Sequence, residues 1–182
     1  MKKLFFAIVA GFIPALVVTT GVYAQYSNFK SITDPAEAIL FSDSIAPKAE
    51  NASTLSNISS RALKEFSKTH SDIANENWYV IPDGFVATFK ADDVSTTVYY
   101  NKKGRWAGYL KGYNEAKLPR SVRDVVKRQY YDFAITYVHE LETVESEGKP
   151  TYIVHLEDAK NILQVRVNDG IMEEWRKYDK QK

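Results

Sequence analysis

The stretch WYVIPDGFVATFKADDVSTTVYYNKKGRWAGYLKGY, residues 78–113, decides the fold. It contains runs rich in aromatic and β-branched residues, separated by short turn sequences: 78–81, 85–90, 94–100 and 106–113. This composition and spacing predict four β-strands. Because the turns are so short, consecutive strands must pair as antiparallel hairpins.

The second half of the chain repeats this plan. Strand-like runs follow one another at 133–144, 151–156, 162–167 and 171–178. The turns NKKG, ending at Gly104, and NDG, ending at Gly170, occupy the same place in each half. Glycine accepts the positive φ that closes such a hairpin, so we expect both turns to use it. The sequence therefore predicts an internal duplication.

A helical pattern precedes each set of strands. Apolar residues recur at helical spacing, with Ile58, Ala62, Leu63 and Phe66 in the first half and Val122, Val125, Val126 and Tyr130 in the second. Each apolar stripe is one-sided, so each helix must pack against something else. The predicted fold is α+β, with two tandem α-β-β-β-β units, 57–117 and 118–182. They form one curved antiparallel sheet with helices on one face and the other face open.

The N-terminus reads MKKLFFAIVAGFIPALVVTTGVYAQ, with two lysines, an apolar run and small residues before Ala24. This pattern predicts a secretory signal peptide over 1–24, cleaved after Ala24. An uncleaved anchor is the alternative, since about 15 to 20 apolar residues can just span a bilayer. Pro14 and Gly21 favour the cleaved signal. We therefore expect a periplasmic or secreted protein without a stable membrane anchor, with residues 25–56 as a flexible linker or arm.

Composition excludes several classes of function. The formal net charge is +1, which gives no support for nucleic-acid binding. The chain has no cysteine, which excludes disulfides, zinc–thiolate sites and thiol nucleophiles. Stability outside the cell must therefore come from packing.

Several segments together resemble the beta-lactamase-inhibitor-like, PepSY-like proteins exported by Bacteroidetes-type bacteria. They are Trp78, GFVATF at 84–89, VYYNKKGRW at 98–106, Leu118-Pro119, YIV at 152–154 and NDG at 168–170. The likeness covers roughly residues 57 to 180. It implies two tandem α-β4 units on a curved sheet, export from the cytoplasm, and a role in binding or inhibition rather than catalysis. No contact residue of the family matches a motif in this chain, so none is carried over.

No residue pattern indicates an active site or a bound cofactor. His70, His139 and His155 are the only histidines, and none lies in a local metal-binding pair. The last two are 16 residues apart on predicted strands and could meet, but we interpret all three as surface histidines. The glutamates at 140, 142, 145 and 147 are typical of a solvated face. The prediction is therefore a protein that is not an enzyme, with no catalytic, metal or cofactor-binding residues.

The open face of the sheet is the predicted binding surface. Aromatic residues and arginine dominate protein interfaces, and we nominate Tyr99, Tyr109, Tyr113, His155, Arg166 and Trp175. The alternative is that these residues cover sheet edges or pack between the two units. The function that follows is an exported module that docks an envelope or secreted protein, with inhibition of that protein as one outcome. The second hypothesis is a periplasmic sensor of a small ligand or peptide, or a structural envelope protein.

Overall fold

The computed structural model describes residues 55–180. The predicted signal peptide, and all of the predicted arm except its last two residues, lie outside this range. The elements are α1 (Ser60–Thr69), β1 (Asn77–Ile81), β2 (Gly84–Ala91), β3 (Val94–Asn101), β4 (Trp106–Tyr113), α2 (Arg120–Gln129), β5 (Ala134–Thr143), β6 (Thr151–Glu157), β7 (Asn161–Asn168) and β8 (Ile171–Asp179). Short 3-10 helices lie at Leu55–Asn57, Glu115–Lys117 and Val144–Ser146.

All eight strands form a single open sheet in the order β1 to β8, with every neighbouring pair antiparallel. Each predicted strand is present within one residue at either end. The two halves join through β4 and β5, which pair from Gly108–Thr143 to Tyr113–Val138. The predicted fold class, two α-β4 units on one antiparallel sheet, is confirmed. Register shifts at Tyr99/Tyr100, Ile135/Tyr137 and Gln164/Val165 mark bulges, which bend the strands they interrupt.

The hairpin turns use the residues that their backbones require. Gly104 and Gly170 have φ values of 69° and 78°, as the two matching turn sequences predicted. The β2–β3 turn instead places Asp92 and Asp93 at positive φ, a conformation that aspartate tolerates better than most residues. Local turn chemistry therefore sets the strand boundaries.

Both helices pack on the same face of the sheet. Ala62 and Phe66 of α1, together with Ile58 two residues before the helix, form one buried cluster with residues of β1 to β3, among them Trp78 and Val98. From α2, Val122 and Val126 form a second cluster with Tyr113, Val138, Val154, Leu156, Leu163, Val165 and Val167. Directly opposed residues of paired strands share a face, and the register joins both clusters into one surface, the helix-covered face.

The opposite face carries neither α-helix, and we call it the helix-free face. Across the first unit and the adjoining strand β5 it holds a buried cluster of Tyr79, Val86, Tyr99, Leu110 and Leu141. Tyr99 therefore points away from the helices whereas Tyr100 packs under α1, since successive residues of a strand point to opposite faces. Both are nonetheless buried, at 4% and 2% exposure.

No helix within residues 55–180 is long and apolar enough to cross a membrane.

Candidate functional site

Two polar clusters lie back to back at the centre of the sheet, and β5 contributes to both. Successive residues of a strand point to opposite faces, so Glu140 faces the helices and His139 faces the helix-free side. We call the groups around them the Glu140 cluster and the His139 cluster.

The Glu140 cluster lies on the helix-covered face. The Tyr113 hydroxyl donates to Glu140 Oε2 at 2.6 Å, and the Tyr109 hydroxyl lies 2.9 Å from Glu140 Oε1 and 2.6 Å from Glu142 Oε2. Lys111 Nζ donates to Glu140 Oε1 at 3.2 Å and lies 4.0 Å from the centre of the Tyr109 ring. Only 12% of the Glu140 side chain is exposed. The carboxylate is thus bound by three side chains of β4.

Burial raises the pKa of both tyrosines in the Glu140 cluster. Burial is the largest cause, and the hydrogen bonds to Glu140 and Glu142 and the negative charges of these carboxylates raise the pKa further. Both hydroxyls therefore stay protonated at neutral pH and act as donors. Since every named group is engaged with another, the Glu140 cluster is suited to joining β4 to β5, and so the first unit to the second.

The His139 cluster lies on the helix-free face. His139 Nδ1 and His155 Nε2 are 3.1 Å apart, and His155 Nδ1 is 3.2 Å from Gln164 Nε2. The Tyr137 ring packs edge-on against both imidazoles, with centroids 5.0 Å from His139 and 6.2 Å from His155. Tyr137 also lies over Gly112 of β4, where there is no room for a Cβ. Both histidines are half-buried, so solvent reaches the cluster.

Charged and aromatic residues extend the helix-free face toward β8. Arg166 lies beside the His139 cluster, since it pairs with Ile153, which in turn pairs with His139. Its guanidinium donates to Glu173 Oε1 at 2.6 and 3.0 Å. Trp175 has no partner in the β7 register, and the Arg176 guanidinium lies 4.3 Å from the centre of its ring.

The six nominated binding residues do not form one surface. Tyr99, His155 and Arg166 lie on the helix-free face, and Trp175 lies on the edge strand β8. The structure places Tyr109 and Tyr113 on the helix-covered face, with their hydroxyls on Glu140, because the register of β4 against β5 turns both toward the helices. The prediction that Tyr109 and Tyr113 belong to a binding surface on the open face is therefore wrong.

Two further expectations about polar residues need correction. Glu140 is not part of a solvated face, since three β4 side chains hold it. His139 and His155 are not isolated surface histidines, since they contact each other. His70, at the end of α1, stacks on Phe66 at 4.8 Å, and burial lowers its pKa. Within the described residues, no three His, Cys, Asp or Glu side chains form a group that could hold a metal ion.

Sequence reasoning allowed that His139 and His155 could meet but missed Tyr137 and Gln164 beside them. A signal was present, since Tyr137 and His139 alternate on β5 while His155 and Gln164 lie on the next two strands. The hairpin between β5 and β6 is short enough for a register estimate. The bulge at Ile135/Tyr137, which the sequence does not reveal, complicates that estimate.

Comparison with known proteins identifies solved structures that share this fold. No family model and no curated protein matches the sequence. A BLIP-like protein from Bacteroides fragilis is similar in structure, with a TM-score of 0.53 and 18% identity over 67% of this chain and 86% of that chain. A DUF2874 family protein from Bacteroides ovatus has a TM-score of 0.53 and 14% identity over 68% of this chain and 88% of that chain. A predicted periplasmic protein from Bacteroides eggerthii has a TM-score of 0.51 and 15% identity over 67% of this chain and 88% of that chain. The chain therefore has the fold of BLIP-like and DUF2874 family proteins of Bacteroides, and the likeness predicted from its sequence is confirmed at the level of fold.

Proposed function

We propose that this chain is an exported, non-enzymatic binding module that docks an envelope or secreted protein on its helix-free face. The lysine-led apolar N-terminus supports export, to the periplasm or beyond the cell. The Bacteroides proteins that share the fold support the same reading, since one of them is a predicted periplasmic protein.

The observation that carries the proposal is the composition of the helix-free face in the second unit. Tyr137, with 37% of its surface exposed, the half-buried His155 and the half-buried Arg166 lie on the adjacent strands β5, β6 and β7. Tyrosine and arginine are the residue types that most often dominate binding energy at protein interfaces. A β-sheet also holds these side chains at fixed spacing, which lowers the entropy lost on docking.

The helix-covered face is the less suitable surface. Its central polar groups, Glu140 and the tyrosines that donate to it, satisfy one another. They are also withdrawn from solvent, since only 12% of the Glu140 side chain and 3% of Tyr113 is exposed. The outward surface of α2, by contrast, is exposed and provides matched control positions.

A hydrolase is the first partner to test. One structural neighbour is a BLIP-like protein, and a sheet that covers the active site of an enzyme would inhibit it without chemistry of its own. Inhibition in this form needs only surface complementarity, in keeping with a chain that shows no sequence motif for catalysis.

The experiment is capture of the partner from an envelope extract of the encoding bacterium, with the purified chain as bait. Arg166→Ala and Tyr137→Ala alter the helix-free face. Arg120→Ala and Tyr131→Ala are the matched controls, since the Arg120 side chain is 94% exposed on α2 and Tyr131 is 76% exposed just after it.

We expect each helix-free variant to lower recovery of the partner at least about tenfold, the size typical of a hot-spot residue. The control variants should recover as much partner as the unaltered chain. Equal recovery by all four variants would reject docking on the helix-free face, as would loss confined to the two controls.

A further inference from the structure

We propose that His139 and His155 chelate a divalent transition-metal ion, of the class of Zn²⁺, Ni²⁺ or Cu²⁺, on the helix-free face. The site would use His139 Nδ1 and His155 Nε2, with water completing the coordination. It does not depend on the docking partner and concerns a different property of the same face.

The distance between the two nitrogens fits a shared ion. His139 Nδ1 and His155 Nε2 are 3.1 Å apart. If each lies about 2.0–2.1 Å from a metal, as in zinc–imidazole sites, they subtend an angle of about 98° at the ion. This value lies between the octahedral and tetrahedral angles, so the spacing of the two nitrogens matches that of two ligands of one ion.

Gln164 suits His155 for this role. Its amide lies against His155 Nδ1 at 3.2 Å, on the side of the ring away from His139. With the amide oxygen turned toward the imidazole, Gln164 accepts a hydrogen bond from His155 Nδ1–H and leaves the Nε2 lone pair directed at the site. Metal-binding histidines commonly donate their other ring proton to such an acceptor. Gln164 Oε1 is buried and, within the described residues, has no hydrogen-bond partner in the present amide orientation.

Packing holds both rings in place before any ion binds. Tyr137 meets both imidazoles edge-on, at interplanar angles of 76° and 77°. The strands β5 and β6 fix the backbones of His139 and His155 in one hydrogen-bonded ladder. Neither ring therefore needs a large rearrangement, which lowers the entropy cost of binding.

The ligand set also selects the class of ion. Two imidazole nitrogens suit zinc, nickel and copper, whereas magnesium and calcium require oxygen ligands. The hydrogen bond across the 3.1 Å gap requires a proton on one of the two nitrogens. With His155 protonated on Nδ1, that proton lies on His139 Nδ1, and it moves to His139 Nε2 when the ion binds. No net proton release is needed for the ion to bind two neutral imidazoles.

The test is a titration of the purified chain with Zn²⁺, followed by the imidazole resonances of the three histidines in NMR spectra. We expect the signals of His139 and His155 to shift together, saturating at one ion per chain, while His70 is unaffected. Titration with Mg²⁺ should move neither signal. The same spectra show whether each variant is folded.

His139→Ala and His155→Ala should each weaken Zn²⁺ binding by well over tenfold, since loss of even an outer-shell partner costs about 10-fold to 100-fold. Gln164→Leu should lower the affinity about tenfold while both histidines still respond. His70→Gln is the matched control and should bind as the unaltered chain does. The proposal fails if equimolar Zn²⁺ leaves both signals unmoved, or if either alanine variant binds as tightly as the unaltered chain.

Discussion

The two polar clusters lie on opposite faces of the same strand, β5, but have different roles. Three side chains of β4 bind Glu140 on the helix-covered face, and Tyr113, which completes that cluster, is only 3% exposed. His139 on the helix-free face meets another half-exposed imidazole. The first arrangement uses its polar groups to stabilise the fold, whereas the second leaves them within reach of solvent.

The position of the helices explains the difference. On the helix-covered face, burial makes an unpaired polar group costly, so the polar groups there must satisfy one another. On the helix-free side of the second unit, water remains available, so a polar side chain can exchange its present partner for an external ligand at lower cost. This difference predicts that substitutions in the Glu140 cluster lower the stability of the fold, whereas substitutions on the helix-free face lower binding and leave stability nearly unchanged.

The largest effect on stability should come from Glu140→Ala. It removes the acceptor for Tyr113, Tyr109 and Lys111 and leaves a buried hydroxyl without a partner. We expect the free energy of unfolding to fall by about 3 kcal/mol. His139→Ala, one residue earlier, should cost about 1 kcal/mol or less. Chemical denaturation of both variants measures the difference, and equal losses would contradict the separation of roles.

A smaller effect is expected for Tyr113→Phe, which removes one hydroxyl from the Glu140 cluster. The lost bond is 2.6 Å long and ends on a carboxylate, so the free energy of unfolding should fall by about 2 kcal/mol. Tyr178→Phe on β8 is the control, since Tyr178 is 49% exposed, and we expect a change within about 0.5 kcal/mol. Thermal unfolding of the two variants would show no difference if the Glu140 cluster were not structural.

The smallest effect is a dependence of stability on alkaline pH. The pKa values of Tyr109 and Tyr113 are raised by burial and by their glutamates, from an ordinary value of 10.0. Above pH 10 the unfolded chain loses these protons while the folded chain keeps them, so stability falls as pH rises. Tyr99 and Tyr100, whose pKa values burial also raises, contribute in the same direction.

The double variant Tyr109→Phe, Tyr113→Phe should therefore lose less stability between pH 9 and pH 11 than the unaltered chain does. The slope of the unfolding midpoint against pH measures this effect independently of the absolute stability. An unchanged slope would mean that neither hydroxyl is held protonated by the fold.

The strands and helices could be predicted from sequence because their signals are local. The turns before Trp106 and Ile171 each contain a glycine at positive φ, and the apolar stripes of α1 and α2 show which side of each helix is buried. Turn chemistry and periodicity act over a few residues. The two-fold α-β4 plan therefore follows from the sequence without long-range information.

The polar clusters could not be predicted in the same way because they depend on pairing between distant strands. Tyr109 meets Glu142 through the β4–β5 ladder, whose strands are joined by a 3-10 helix and α2 rather than a tight turn. No local signal fixes that register, and a shift of one residue would exchange the faces of all the side chains involved. For this reason the sequence alone does not reveal that Tyr109 and Tyr113 lie on the helix-covered face.

The central claim, that the helix-free face of the second unit is the functional surface, has a direct test in site-specific cross-linking. The chain has no cysteine, so Asn168→Cys, exposed on the helix-free face two residues from Arg166, and Arg120→Cys on α2 each provide a single attachment point for a photo-activated cross-linker. Both variants are exposed to the same envelope extract and irradiated. The account predicts a covalent adduct with a discrete partner from position 168 and none from position 120. The same adduct from position 120 alone would contradict it.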